Sequence, residues 1–420
     1  MRRAIVPLSL VLAVGALAAC GGGSNDATAT ILVPEDFATI QAAVDAADPG
    51  DLVLISPGTY EEAVDVETPR IVIRGLDRNT VILDGDDRLA NGFSVEAGGV
   101  AIENLTVRRY QQNGILFNGA YEEDGSLDPA KTYGAGDDVL LGYRASYVTA
   151  HNNGLYGIYA FAARGGLIEH VYASGHPDSG VYVGQCKPCN VVITDATAEL
   201  NAIGYYGTNA SGGVYIIDSV FRNNRLGMTP NSQDQELLAP QIETVVAGNL
   251  VVDNADPDAP NIARGFFGGG IAIGGGTANT IVKNRVSGHP AFGIGVLPLG
   301  DYEPERNTVL GNVLEDNGVD LAYLAAQGTV TTKGNCFAGN SFTTSVPAGI
   351  ETAMPCPGAD RPLEPASYEL PAAPPGVDYR AIPAPAAQPT MPDAATAPPS
   401  SASSTPPAVD VDAIVVPAAR

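Results

Sequence analysis

The sequence has few of the residues that several common functions require. It contains 22 Lys and Arg against 47 Asp and Glu, which gives a net charge of −25. Nucleic-acid binding needs a basic face that neutralises phosphates, and no such basic cluster is visible. Four His and four Met are too few to supply the ligands of a copper site. We expect the acidity mainly to keep the protein soluble.

The sequence also lacks an apolar run long enough to span a membrane. Its first apolar stretch, residues 4–18, is short and follows Arg2 and Arg3, as in a signal peptide of residues 1–19. The stretch ends in Leu-Ala-Ala-Cys20, which resembles a bacterial lipobox, although an ordinary cleavage site beside a chance cysteine is the alternative. We therefore expect lipidation of Cys20, a flexible tether over residues 20–30, and a lipid-anchored protein on the extracytoplasmic face of the cell membrane. Processing would change the net charge to 20 − 47 = −27.

Four cysteines remain once Cys20 is assigned to lipid: Cys186, Cys189, Cys336 and Cys356. Disulfides are the default for cysteines outside the cytoplasm. The C-x-x-C at Cys186 and Cys189 could instead be redox-active or half of a metal site. However, the sequence has no second C-x-x-C to complete a zinc site and no thioredoxin-like βαβ pattern. We therefore predict structural disulfides among the four, with the pairing left open.

Short apolar runs recur between residues 52 and 342, and they can be aligned on a polar residue that begins each run. The aligned positions are Asn104, His170, Asp195, Asp218, Asn249, Asn284, Asn312 and Asn335. A second polar position follows five or six residues later, at Asn201, Asn224, Asn254, Asn317 and Asn340, with His176 and His289 replacing Asn there. Each repeat predicts one solenoid coil of three short strands and three turns. Stacked Asn side chains can hydrogen-bond to the coils above and below.

Three insertions interrupt this repeat, at residues 118–144, 229–241 and 253–276. Loops on a rigid scaffold commonly carry function. If they leave the solenoid from the same turn, they would form the wall of one groove.

The chain before the first repeat predicts a helix that covers the open end of the solenoid. Apolar residues from Ile40 to Ala47 have helical spacing, Asp36 or Thr39 can cap the N-terminus, and Pro49-Gly50 ends the helix. This helix, the Gly50-Asp51 pair and the Pro-Gly-Thr-Tyr60 that follows resemble the N-terminal segment of the pectin-lyase-like superfamily. The resemblance implies an all-β, right-handed parallel β-helix, here over residues 31–357. It implies no single activity, because the superfamily includes lyases, hydrolases, esterases, epimerases and proteins that are not enzymes.

The composition changes after Cys356 to Pro, Ala, Ser and Thr, with 14 Pro in the last 63 residues. Such a segment has too little apolar surface to bury for independent folding. We therefore predict that residues 358–420 form an extended, disordered tail.

Acidic residues of the first insertion suggest a cation site. Asp124, Ser126 and Asp128 place oxygen ligands at alternate positions, as in the beginning of a calcium loop, and the alternative is a solvated acidic loop. Asp137 and Asp138 resemble the paired aspartates of polygalacturonases, although the other motifs of that family are absent. We keep these two as candidate catalytic residues without expecting that particular mechanism.

Lyase chemistry on uronates would need a basic residue and a cation that neutralises the substrate carboxylate. Arg222 and Arg225 are the main candidate bases, with Lys187, Lys283 and Arg285 as others, although most such residues simply face solvent. Recurring tyrosines could stack on sugar rings or fill the interior. They are Tyr156, Tyr159, Tyr182, Tyr205, Tyr206 and Tyr215.

Two hypotheses for the function follow from these observations. The first is binding, with or without modification, of an envelope or extracellular polysaccharide, with Ca²⁺ bridging an anionic sugar to the acidic protein. The second is a scaffold or accessory subunit that has no catalytic activity and binds a partner protein along the same face. Converging carboxylates and a base in one groove would favour an enzyme, whereas an apolar or featureless groove would favour the scaffold.

Overall fold

A computed structural model describes residues 28–119, 139–261, 267–324, 330–363 and 368–419. Within these ranges three parallel sheets, here named A, B and C, wind as a right-handed parallel β-helix, which confirms the predicted fold. A short antiparallel pair, Val330–Thr331 with Pro362–Leu363, lies outside the three sheets. None of the helices in the described part of the chain combines the length and apolar character needed to cross a membrane.

Each coil contributes one strand to each sheet, in the chain order A, B, C. Sheet A contains Thr30–Val33, Leu52–Ile55, Val72–Gly75, Val100–Glu103, Leu140–Ser146, Ala163–Glu169, Val191–Thr194, Val214–Ile217, Thr244–Ala247, Thr280–Val282, Thr308–Leu310 and Cys336–Ala338. Sheet B contains Gly58–Tyr60, Val81–Asp84, Thr106–Arg108, Thr149–His151, Tyr172–Ser174, Thr197–Glu199, Val220–Arg222, Leu250–Val252, Arg285–Ser287 and Val313–Glu315. Sheet C contains Val64–Val66, Phe93–Val95, Ile115–Asn118, Tyr156–Phe161, Ser179–Gly184, Ile203–Thr208, Leu226–Asn231, Gly269–Gly274, Phe292–Leu297, Leu321–Tyr323 and Ser345–Val346.

The core is a stack of apolar side chains inside the coils. In sheet C one inner column comprises Ile158, Val181, Tyr205, Met228, Ile271 and Ile294, which are all fully buried. The next residue along each strand points outward because side chains alternate across a strand. Tyr205 therefore lies in the core, whereas Tyr206 lies on the outer face of sheet C.

The predicted cap helix is present at the N-terminal end as Ile40–Ala46. Thr39, and not Asp36, is its N-cap: the Thr39 hydroxyl accepts a hydrogen bond of 3.2 Å from the backbone N–H of Ala42. Two short helices follow much later, Ile350–Ala353 and the 3₁₀ turn Tyr379–Ala381. Ile40, Ala43 and Val44 are buried against the first coils, so the helix covers the apolar end of the stack.

Buried Asn side chains form ladders at the turns, as predicted, but the sequence alignment assigns some of them wrongly. The first ladder runs through Asn249, Asn284, Asn312 and Asn340, with each amide bonded to the next Oδ1. Asn340, which sequence spacing assigned to the second polar position, is thus a member of the first ladder, whereas Asn335 belongs to a separate ladder with Asn279 and Asn307.

Four members of the predicted first register lie one residue before the ladder position. Asn104, His170, Asp195 and Asp218 have positive φ and form the turn itself. Asn suits the turn position because it tolerates positive φ, and it suits the ladder position because its amide can hydrogen-bond to the next coil. Sequence spacing alone therefore could not distinguish the two positions.

His176 and His289 replace Asn in the ladder between sheets B and C, as predicted. His176 Nδ1 lies 2.8 Å from Asn201 Oδ1, and its Nε2 lies 3.2 Å from Asn153 Nδ2. Burial lowers the pKa of His176 to about 3 and the pKa of His289 to about 4, so both imidazoles are neutral at physiological pH. They act as uncharged stacking residues.

The C-terminal region differs from the predicted disordered tail. Residues 368–419, here called the C-terminal strap, are extended as expected but lie against the solenoid. The strap's carbonyl oxygens accept hydrogen bonds from arginines of the coils, including Arg74 to Ala397 at 2.6 Å and Arg285 to Pro417 at 2.8 Å. Because proline has no N–H, an extended Pro-rich chain leaves its carbonyls free for such donors. Ile414 adds an apolar contact with Ala247 and Val282.

Candidate functional site

The first two insertions leave the solenoid at the same kind of turn. Residues 119–139 and 232–243 both connect a sheet C strand to the next sheet A strand. The third insertion instead connects sheet B to sheet C, on the opposite edge. Residues 232–236 of the second insertion border the outer face of sheet C, and that face is the floor of a groove.

This groove, here called the tyrosine groove, has a cavity of about 630 Å³. Its lining comes from three sheet C strands, from the loop at 232–236, and from the loop that follows Phe292–Leu297. The lining residues are Tyr156, Asp178, Tyr182, Ile203, Tyr206, Thr208, Ser232, Gln233, Asp234, Gln235, Glu236, Leu299, Gly300 and Tyr302.

Tyrosine rings form one end of the groove floor and continue beyond the cavity. Tyr159, Tyr182 and Tyr206 occupy the same register on neighbouring strands, so their rings follow one another along the solenoid in edge-to-face contacts. Ring centroids are 4.8 Å apart for Tyr159 and Tyr182 and 5.5 Å apart for Tyr182 and Tyr206. Tyr156 stacks on Tyr159 at 4.5 Å. The recurrence of tyrosine in successive coils left an outer platform and an interior stack open, and Tyr159, Tyr182 and Tyr206 form the outer platform while Tyr205 lies in the interior.

Two carboxyl groups converge beside these rings. Asp178 immediately precedes the strand Ser179–Gly184, and the Tyr156 hydroxyl is its hydrogen-bond partner. Glu236 lies in the loop after Leu226–Asn231 and accepts a hydrogen bond from the Tyr182 hydroxyl. Both residues are half-buried, but one oxygen of each, Asp178 Oδ1 and Glu236 Oε2, is fully buried and has no hydrogen-bond partner among the described residues.

Both carboxyl groups are partly protonated near neutral pH. Burial raises the pKa of Asp178 to about 7 and the pKa of Glu236 to about 8, and the tyrosine hydrogen bonds only partly oppose this effect. The negative charge of either carboxylate also raises the pKa of Tyr156 and Tyr206, after the larger effect of burial, so both carboxyls act on the same rings. Raised pKa values in an open cleft are typical of acid and base catalysts.

Hydrogen bonds hold the loop that carries Glu236. The buried Asn209 amide donates to the backbone oxygens of Gln233, Glu236 and Leu237 at 2.8, 3.0 and 3.2 Å. Across the groove, the Tyr302 hydroxyl donates to Asp234 Oδ1 at 2.5 Å. Glu236 is therefore positioned by the coil beneath it, although it lies in a loop.

The predicted basic residues are not brought to this groove. Arg222 lies on the outer face of sheet B, where it pairs with Glu199. Arg225 lies at the turn before sheet C, buried over the Phe267 ring and bonded to the Pro374 oxygen of the strap. Lys187 lies in the turn between the two cysteines of the C-x-x-C. Among the described residues, the lining contains no Lys, Arg or His.

Several other predicted residues lie outside the described part of the chain. They are Cys20, Asp124, Ser126, Asp128, Asp137 and Asp138. Lipidation, calcium binding and the paired-aspartate site therefore stay predictions. Within the described ranges, no group of three or more His, Cys, Asp and Glu is arranged to hold a metal ion.

All four remaining cysteines are paired. Cys186 and Cys189 have an S–S distance of 2.05 Å, and Cys336 and Cys356 have one of 2.09 Å. The first pair closes the turn beside Gln185, whose Oε1 accepts a hydrogen bond of 3.0 Å from the Leu237 N–H. The prediction of structural disulfides is thus confirmed. The Gln185–Leu237 hydrogen bond connects the turn closed by the first disulfide to the loop that carries Glu236.

Sequence reasoning missed Asp178 and Glu236. Asp178 directly follows a Gly-His-Pro triplet that marks a turn into sheet C, and Glu236 ends the polar run of the second insertion. Those positions identify turns that lead toward or away from sheet C. They do not identify which carboxyl is desolvated, because that depends on tyrosines from other coils.

Comparisons with known proteins identify the fold family. The A-module of mannuronan C-5 epimerase AlgE4 from Azotobacter vinelandii is 12% identical, with 73% of this chain and 91% of that chain covered and a TM-score of 0.46. Pectate lyase Pel9A is 15% identical, with 73% and 72% covered and a TM-score of 0.44. No curated protein matches the chain. Residues 142–354, half of the chain, match the family described as right handed beta helix region. The chain belongs to this right-handed β-helix family.

Proposed function

We propose that the tyrosine groove binds a polysaccharide and that Asp178 and Glu236 catalyse cleavage of its glycosidic bonds. The observation that carries this proposal is the pair of desolvated carboxyls, each bonded to a tyrosine and each with a buried oxygen free of described partners, beside an open aromatic floor. A scaffold for a partner protein would not require two such groups in one groove.

The tyrosine floor suits a chain of sugar rings. Sugar rings present apolar C–H faces that pack on aromatic rings, while hydroxyls at the ring edges need polar partners. The half-buried Tyr206 supplies an aromatic surface at the cavity, beside the almost fully buried Tyr182. Tyr159 extends the same surface along the solenoid axis, in the direction in which a bound polymer would run.

The carboxyls have the properties required of an acid and a base. Glu236, which has the higher pKa, donates a proton to the glycosidic oxygen as the bond between that oxygen and the anomeric carbon breaks. Asp178, with the lower pKa, accepts a proton from the water that attacks the anomeric carbon. One water is consumed and one reducing end is formed.

The test is release of reducing ends from a panel of polysaccharides by the full chain. We expect Glu236→Gln and Asp178→Asn each to lower kcat by about 10²–10⁴-fold, the usual contribution of a positioned acid or base. Glu199→Gln is the matched control, because Glu199 also accepts a hydrogen bond from a tyrosine, Tyr172, but lies on sheet B. Equal losses in all three variants, or no product from any substrate, would contradict the proposal.

We also propose that the protein is anchored through a lipid on Cys20 outside the cytoplasm. The Leu-Ala-Ala-Cys20 motif and the two disulfides support this location. In a bacterium with lipoprotein-processing enzymes, the protein should partition into the detergent phase and Cys20→Ala should not. Identical partitioning of the two forms would contradict anchoring.

A further inference from the structure

The polar groups of the tyrosine groove include no cation among the described residues. Its lining contains three acidic residues, Asp178, Asp234 and Glu236, together with hydroxyls and amides. Asp234 is exposed and bonded to Tyr302. Any negative charge on a bound sugar would therefore meet only like charges and neutral groups from these residues.

Elsewhere the same solenoid places arginine beside its carboxyl groups. Glu103 contacts Arg74 and Arg144, Asp84 contacts two arginines, and Glu199 contacts Arg222. The outer faces of sheets A and B thus hold negative charge with guanidinium partners. Among the described residues, the carboxyls of the tyrosine groove are held by tyrosine hydroxyls and, for Glu236, by the backbone of Gln185, with no guanidinium.

A carboxylated sugar would be poorly accommodated in such a groove. Recognition of a carboxylate in a partly desolvated site normally uses Arg or Lys, because charge-assisted hydrogen bonds offset the loss of water. The neutral groups of the groove are already bonded to one another: the Tyr182 hydroxyl donates to Glu236, and Gln233 Nε2 donates to the Tyr206 hydroxyl and, at 2.9 Å, to Asn231 Oδ1. None of them supplies the positive charge that a guanidinium would.

We infer that the substrate of the tyrosine groove is an uncharged polysaccharide and not a polyuronate. This inference rests on the proposed function of the groove. Hydroxyls of such a polymer can both donate and accept hydrogen bonds, so they can pair with uncharged polar groups of the lining without needing a cation. Uncharged sugars also avoid the electrostatic cost of approaching a protein with a net charge of −25.

The test is affinity electrophoresis of the full chain in gels that contain soluble polysaccharides. One set contains uncharged glucans, mannans, xylans and galactans, and the other contains polygalacturonate, alginate and chitosan, each with CaCl₂ or with chelator. We expect an uncharged polymer to bind at least about tenfold more tightly than any charged one. Raising NaCl from about 0.05 to 0.5 M should change that binding less than about twofold, because no ion pair is screened.

Two variants connect the binding to the groove. Tyr206→Ala should weaken retention by the uncharged polymer about tenfold, whereas Tyr215→Ala, on the outer face of sheet A, should not change it. Gln235→Lys places a cation at the exposed edge of the groove, and it should create salt-sensitive retention by polygalacturonate that the unmodified protein lacks. If Gln235→Lys fails to do so, the missing cation is not what excludes uronates and the inference is overturned.

The remaining outcomes separate this inference from the proposed function. Tighter binding to a polyuronate or to chitosan, with the dependence of activity on Asp178 and Glu236 retained, would overturn the inference and leave the proposed function standing. Retention by no polysaccharide in either set, together with no product formation, would overturn both.

Discussion

Acidic side chains have different partners in two regions of this molecule. On the outer face of sheet A, Glu103 is bonded to Arg74 at 2.7 Å and also contacts Arg144. In the tyrosine groove on sheet C, Asp178 and Glu236 have tyrosine hydroxyls as partners. Both regions withdraw carboxyls from water, but they supply different partners to the desolvated group.

Asp84 on sheet B shows how strongly a cationic partner acts. Burial alone would raise the pKa of Asp84, but the hydrogen bond from Arg109 and the charge of Arg108 outweigh burial, and the pKa lies below its ordinary value. No cation among the described residues contacts Asp178, and burial raises its pKa to about 7. Pairing with arginine therefore keeps the Asp84 carboxyl ionised, whereas the Asp178 carboxyl, with a tyrosine partner, can exchange protons near neutral pH.

The largest expected effect on stability is at Glu103. Glu103→Gln leaves the Arg74 guanidinium, which is 1% exposed, without its carboxylate, and removing one partner of a buried ion pair costs about 3–5 kcal/mol. Glu236→Gln, by contrast, should not destabilise the protein at pH 7, because the carboxyl that it replaces is largely uncharged. Urea unfolding measures both. Similar losses in the two variants would remove the distinction between the regions.

The two regions should also differ in how pH changes stability. Because folding raises the pKa of Asp178 and Glu236, their stabilisation is fully present below about pH 4 and is lost as pH rises through 7 to 8. We therefore expect the double variant Asp178→Asn/Glu236→Gln to match the unmodified protein at pH 4 and to exceed its stability at pH 9, where both carboxyls of the unmodified protein are ionised in the folded state.

Asp84→Asn provides the opposite dependence. The lowered pKa of Asp84 stabilises the fold above the ordinary pKa of Asp, and this contribution is lost as pH falls. The variant should therefore be less stable than the unmodified protein at pH 7, with the difference shrinking toward pH 3. Thermal unfolding across this pH range distinguishes the two directions, and parallel curves for all proteins would contradict them.

A smaller loss of stability is expected in the Asn ladder, whose side chains are uncharged amides. Asn284 Nδ2 donates to the Val246 oxygen at 2.9 Å and to Asn312 Oδ1 at 3.0 Å inside the coil. Asn284→Leu should cost about 1–3 kcal/mol because it leaves neighbouring polar groups without partners. Gln112→Leu, at an exposed amide, is the control and should be nearly neutral. An unchanged midpoint of urea unfolding for Asn284→Leu would contradict the ladder's contribution.

The repeat made much of the fold predictable. Apolar runs at coil intervals, turn residues and the Thr39 cap follow local rules that act within a few residues, and each was visible in the sequence. The recurrence of tyrosine in successive coils was also visible, although it did not distinguish an outer platform from an interior stack. The assignment of Asn335 failed because the local pattern allows two turns, and only the pairing of distant strands distinguishes them.

Features that depend on distant contacts could not be predicted in the same way. Glu236 meets Tyr182 across 54 residues of sequence, and its raised pKa results from that environment. The packing of the C-terminal strap on the solenoid was not predicted, because its composition shows only that the segment cannot form a core of its own. Its order comes from arginines such as Arg74, which donates to Ala397 across 323 residues.

The most direct measurement of the central claim is the protonation of Asp178 and Glu236 in the folded protein. Infrared difference spectra recorded between pH 4 and pH 10 separate protonated carboxyls from carboxylates. We expect two carboxyls to titrate at about pH 7 and about pH 8, with the first absent in Asp178→Asn and the second absent in Glu236→Gln. A spectrum in which every carboxyl is ionised by pH 6 would contradict an acid and base pair in the tyrosine groove.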